Sequence, residues 1–129
     1  MKYKFLVFFF GLCLLSCEED ESEAELLGTW QLVETLVDPG DGSGVFRPVS
    51  SNKTITFNAD GIVTSNGSLC DVFEDVTEPT SGIFSEENMS FTTDECGIED
   101  FEYQFEIEGQ FLTYFVLCIE GCAVRFRKI

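Results

Sequence analysis

Phe101-Glu102-Tyr103-Gln104-Phe105-Glu106-Ile107-Glu108 alternates ring or aliphatic side chains with acids and an amide. A period of two puts the four apolar groups on one face of an extended strand and the polar ones on the other. If Glu108-Gly109 is a two-residue loop, Phe105 faces Leu112, Tyr103 faces Tyr114 and Phe101 faces Val116 on the next strand. With Ile119-Glu120-Gly121 as the following loop, Val116 faces Val124, Tyr114 faces Phe126 and Cys118 faces Cys122. All three strands then share one apolar face. The opposite face sets Glu102, Phe115 and Arg125 in one row and Gln104, Thr113 and Arg127 in the next.

Upstream, short β-rich runs are separated by turn signals. Residues 28–37 form one run. Residues 53–57 alternate, with Ile55 and Phe57 on one side, and Asp60-Gly61 turns the chain into Ile62-Val63-Thr64. Residues 81–85 and 89–93 pair around Glu86-Glu87-Asn88. No long segment has helical periodicity, although residues 18–27 and 71–76 have room for a turn of helix. The count is eight strands in meander order, which predicts an all-β chain closed into an eight-stranded antiparallel up-and-down barrel. Such a barrel has an interior that just holds side chains or one small ligand, and closure removes the edges through which strands aggregate. Phe57, Tyr103, Phe105, Tyr114 and Phe126 face that interior, either filling it or lining an apolar ligand cavity.

At the other end of the chain, Lys2 and Lys4 precede an apolar run over residues 5–15. The run is too short to cross a hydrocarbon core of about 30 Å as a helix, so it reads as a secretory signal. It ends in Leu14-Leu15-Ser16-Cys17, which resembles the lipobox of bacterial lipoproteins. The resemblance implies cleavage before Cys17, a diacylglyceryl thioether on its sulfur and an acylated new amine. Two or three chains at about 0.8 kcal/mol per buried methylene hold a protein on a membrane durably. Residues 17–25 carry six acids and extend by self-repulsion as a tether. Cys17-Glu18-Glu19-Asp20-Glu21 looks like the acidic signal that sends Bacteroidetes lipoproteins to the outer face of the outer membrane. The expected organisation is a signal peptide (1–16), an acidic tether (17–25) and a barrel domain (26–129).

Twenty-four acids against seven bases give a net charge of −17, and the two signal lysines leave on cleavage. That charge repels nucleic acid and anionic lipid and favours a monomer. Of six cysteines, Cys13 lies in the signal and Cys17 is lipidated, leaving Cys70, Cys96, Cys118 and Cys122. An even number in an exported domain points to two disulfides. Cys118 and Cys122 flank three residues of a hairpin, which leaves Cys70 to Cys96. A four-thiolate zinc site would want two close pairs, and Cys70 and Cys96 are 26 positions apart. There is no histidine, which removes Ser-His-Asp and Cys-His catalysis. We therefore expect no enzyme, no cofactor and no bound metal. One oxygen-rich loop, residues 38–44, has the composition to hold calcium without the EF-hand spacing, and reads otherwise as a turn-rich connection.

Gly28-Thr29-Trp30 on the first strand, with Arg125 and Arg127 on the last, resembles the lipocalin superfamily. Leu27-Gly28-Thr29-Trp30-Gln31-Leu32, the glycine-rich loop 38–44, Lys53-Thr54-Ile55-Thr56-Phe57 and Cys118-Ile119-Glu120-Gly121-Cys122 look like the lipocalin-like domains of Bacteroidetes lipoproteins. The resemblance implies a cation–π clamp between Trp30 and an arginine of the last strand, for which Arg127 is the choice. It also implies a barrel that binds a small apolar or amphipathic molecule. The alternative is a filled barrel whose surface binds a protein or glycan.

Overall fold

Burial alternates with period two along Thr54–Phe57, Ile62–Ser65 and Tyr103–Glu108, as the pattern of Tyr103–Glu108 predicts. In a computed structural model the described residues are 24–129; the signal segment, Cys17 and the tether to residue 23 lie outside them. Nine strands form: β1 (Gly28–Val37), β2 (Arg47–Pro48), β3 (Thr54–Phe57), β4 (Ile62–Ser65), β5 (Thr80–Ser85), β6 (Ser90–Thr92), β7 (Tyr103–Glu108), β8 (Phe111–Val116) and β9 (Cys122–Lys128). Every pairing is antiparallel, and β1 pairs with both β3 and β9. The eight main strands therefore close into the expected all-β barrel. The two-residue β2 is an extra ribbon on the upper half of β1. The single helical turn among the described residues is a 3-10 turn at Asp94–Cys96, not at 71–76.

Closure depends on a bulge. Trp30 and Leu32 point inward, and strict alternation would send Glu34 inward too. The register with β9 shifts between Leu32 and Glu34, so Glu34 turns outward opposite Arg125 and Thr35 takes the inward place opposite Val124. The Arg125 guanidinium lies 2.7 Å from Glu34 Oε2, donates through Nε to Thr113 Oγ1 at 3.2 Å and covers the Phe46 ring at 3.8 Å. One side chain thus ties β1, β8, β9 and the 38–53 connection together.

The hairpin registers differ from the sequence expectation by one pleat. Phe105 faces Tyr114 rather than Leu112, because the loop is Gly109-Gln110 with Gly109 at φ +60°, a positive angle suited to the first position of a two-residue turn. Val116 faces Cys122 rather than Val124, because the next loop spans 117–121. Cys118 accordingly sits in the loop rather than opposite Cys122, yet the bridge forms. A slip of two preserves which face each side chain occupies, so the apolar set stays intact.

Loops 38–53, 66–79, 93–102 and 117–121 gather at one end, here called upper. Turns 58–61, 86–89 and 109–110 lie at the lower end with the incoming chain, where Ala24 donates its amide to the Gly109 carbonyl at 2.9 Å. Both expected disulfides are present, Cys70–Cys96 and Cys118–Cys122. On the loop-entropy argument the 26-residue link contributes about 3.5 kcal/mol and the short one about 2 kcal/mol.

Burial pushes the Tyr103 phenol above the ordinary tyrosine value of 10.0, and pushes Tyr114 far higher. Between pH 10 and the native values the unfolded chain sheds protons that the folded barrel keeps. Stability conferred by these groups is therefore full below pH 10 and falls as pH rises above it. In an alkaline titration the phenolate absorbance of Tyr103 and Tyr114 should rise together with loss of the β circular-dichroism signal. Ionisation of both near pH 10 in a still-folded barrel would contradict their burial.

Candidate functional site

The upper end is where sequence, packing and chemistry converge, and its first element is a plug. Leu69, fully buried, drops from loop 66–79 into the barrel mouth, and its carbonyl accepts from the Tyr114 hydroxyl at 3.2 Å. Lys53 has the inward parity of Ile55 and Phe57 and is 1% exposed. Its ammonium donates to the Phe73 carbonyl at 2.9 Å and lies 3.5 Å from Asp71. Burial holds Lys53 below the ordinary lysine value, and the neighbouring Asp71 works against that shift. The Cys70–Cys96 bridge then fastens the plug to loop 93–102.

Loop 38–44 is organised by Asp38. One carboxylate oxygen accepts from the Gly40 and Gly42 amides at 2.7 and 3.1 Å, and the other from Gly44 at 2.8 Å. The Gly44 amide, followed by that of Gly40, holds the Asp38 carboxyl below its ordinary value. Asp41 is held down likewise by Ser43, through its side chain first and then its backbone. The Asp38 oxygens that would ligate calcium are already engaged by the loop's own amides. Among the described residues no cluster of three or more cysteines, aspartates or glutamates is set to hold a metal.

The third element is the 117–121 tip. It is bridged by Cys118–Cys122, and its Gly121 carbonyl accepts from the Asp38 amide at 2.9 Å. Ile119 is 96% exposed, and Leu117, Val37, Val45, Phe73, Val76 and Ile98 are exposed on the same end. The four upper loops hold twelve acids and two bases, Arg47 and the buried Lys53. The surface is apolar points in an anionic field.

The five interior positions expected from the sequence are all buried. Phe57 meets Phe105 at 5.3 Å between centroids, Tyr103 meets Tyr114 at 6.3 Å, and Tyr114 stacks on Phe126 at 5.9 Å. Phe91 joins them, 5.0 Å from Tyr103 and 5.1 Å from Tyr114. These rings pack on one another and occupy the centre of the barrel. On the outer wall, Ile62, Ile83, Thr92 and Glu95 border an open groove of about 290 Å³.

At the lower end the cation over Trp30 is Lys128, not Arg127. Its Nζ sits 4.7 Å from the indole centroid and donates to the Glu25 carbonyl at 2.7 Å and to the Leu27 carbonyl. Trp30 Nε1 donates to the Leu26 carbonyl at 2.9 Å. Arg127 faces outward and lies 5.1 Å from the Phe111 ring. Lys128 shares inward parity with Val124 and Phe126, the signal by which the sequence could have picked it. Gly28, at φ +116°, fits this corner because a Cβ there would lie 2.9 Å from Lys128 Nζ. Lys53 and Leu69, also missed, carry a weaker signal, since one is a charged residue and the other sits in a loop.

A scan against protein-family models finds no match, and searches of curated proteins and of solved structures find none.

Lys128→Met should lower the melting temperature by several degrees, for a loss of about 1–2 kcal/mol, whereas Arg127→Met should stay within about 0.5 kcal/mol of the parent. The reverse order would restore Arg127 as the clamp. Calorimetric titration with calcium should give no saturable heat; a saturable signal abolished by Asp41→Asn would contradict the loop reading.

Proposed function

We propose that this chain is a lipid-anchored lipoprotein of the bacterial cell envelope, displayed at the outer membrane surface, whose filled barrel presents its upper loops to a partner macromolecule. The observation that carries the reading is the polarity of the barrel. The chain enters at the lower end, where Ala24 bonds Gly109, while seven exposed large apolar side chains lie in or beside the upper loops. An anchor at Cys17 would hold the lower end near lipid and leave the loops facing outward. Closed strand pairing and two disulfides make the body a rigid support for those loops.

The small-ligand reading draws less support, because Phe57, Tyr103, Phe105, Tyr114 and Phe126 contact other rings where a ligand would sit. Exposed aliphatic and aromatic side chains on loops held by a rigid scaffold suit recognition of a protein surface.

In the native host, the chain should partition into detergent and carry an acyl mass increment on Cys17, and Cys17→Ala should move it to the soluble fraction. An unmodified Cys17 would contradict the anchor. Native mass spectrometry without detergent should find the barrel free of a stoichiometric apolar ligand. A co-purified ligand of defined mass would instead favour the small-molecule reading.

A further inference from the structure

Phe115 near the end of β8 and Leu117 and Ile119 in the 117–121 tip are exposed apolar side chains spaced two residues apart. Phe115 is 62% exposed, Leu117 47% and Ile119 96%. Exposure is greatest at Ile119, within the upper-end tip. Burial of Ile119 contributes almost nothing to the fold, since nearly all of it faces water.

The tip is nevertheless held still. Cys118 is bonded to Cys122, the Gly121 amide donates to Cys118 Sγ at 3.1 Å, and the Gly121 carbonyl is fixed by the Asp38 amide at 2.9 Å. Asp38 in turn is bound to three amides of loop 38–44. A pre-ordered tip loses little conformational freedom on binding, so an apolar anchor on it yields more affinity than one on a loose loop. Glu120 stands in the tip itself, and Asp41 lies in the adjoining loop.

Building on the display reading above, we infer that Leu117 and Ile119 are the anchor of a protein-docking site whose partner offers an apolar pocket within a basic rim. The charge selects the partner. Twelve acids against Arg47 and the buried Lys53 repel a second copy of this chain, nucleic acid and anionic lipid. The same field draws a basic surface and speeds its encounter. The tip's own exposed groups, Leu117 and Ile119, are branched aliphatic and fit a protein pocket, whereas the exposed rings Phe73 and Phe115 that a sugar face would stack on lie off the tip, so a protein is favoured over a glycan. Anchors of this kind are few and central, ringed by groups that tune rate and specificity.

The test uses the full-length chain in intact cells, with benzoylphenylalanine replacing Ile119, Phe73 (upper end, another loop) or Gln110 (lower end). The expected result is an adduct from position 119, none from 110, and a captured protein with net positive charge. With that protein purified, Ile119→Ser should weaken binding to the full-length chain at least tenfold. Glu120→Gln should mainly flatten the dependence of association rate on salt. Leu117→Ser is a second variant should Ile119→Ser alter the melting temperature. An adduct from Phe73 alone would overturn this anchor and leave the display reading standing. A captured acidic protein, a second copy, or unchanged affinity in both serine variants would also overturn it. No adduct from either upper position would overturn both the anchor and the display reading.

Discussion

The seam between β1 and β9 is the constraint on which the rest of the molecule depends. Seven residue pairs, from Trp30 opposite Lys128 to Val37 opposite Cys122, convert an open meander into a closed wall. Without that seam β1 and β9 would be edge strands, open to pairing with other chains, and the aromatic column would lose one side of its enclosure. The seam holds because one residue is out of step. The bulge before Glu34 lets an acid sit amid an apolar strand and still reach Arg125 outside. At the lower end Lys128 covers Trp30, and near the upper end the bridged tip fixes where β9 begins.

A core of packed rings and a rim of acids and exposed apolar side chains follow from the same closure. An eight-stranded barrel has little room, and Phe57, Phe91, Tyr103, Phe105, Tyr114 and Phe126 use it. Their contacts make the body stiff. Polar side chains at the mouth must find partners, and the plug supplies them: its Leu69 and Phe73 carbonyls accept from the Tyr114 hydroxyl and the Lys53 ammonium. The loops above the plug are then free to vary in chemistry without disturbing the wall. Acids and isolated apolar side chains concentrate there.

The alternation of Phe101 to Glu108 was legible because period two fixes faces without reference to any other strand. Registers were not, because a slip of two leaves every face unchanged and only turn geometry selects among the options. Gly109 and the bridged 117–121 loop made that selection. The disulfides were legible from spacing, which is covalent chemistry and tolerates register error. The expectation of Arg127 over Trp30 comes from the resemblance, which implies an arginine, while the inward parity of β9 points to Lys128. Lys53 and Leu69 escaped notice because their roles arise from a loop folding back over the mouth, a long-range event with no local pattern. The gathering of acids and exposed apolar side chains at one end is visible in the sequence only as charge, since the end of the barrel on which the loops gather depends on topology.

Amide hydrogen exchange along the β1–β9 seam tests the closed barrel most directly. The amides that face the seam, those of Gln31, Leu36, Ala123 and Arg125, should exchange only through global unfolding, at rates matching those of central β8. Fast exchange confined to these positions, with β8 still protected, would mean that β1 and β9 do not meet and that the wall is open.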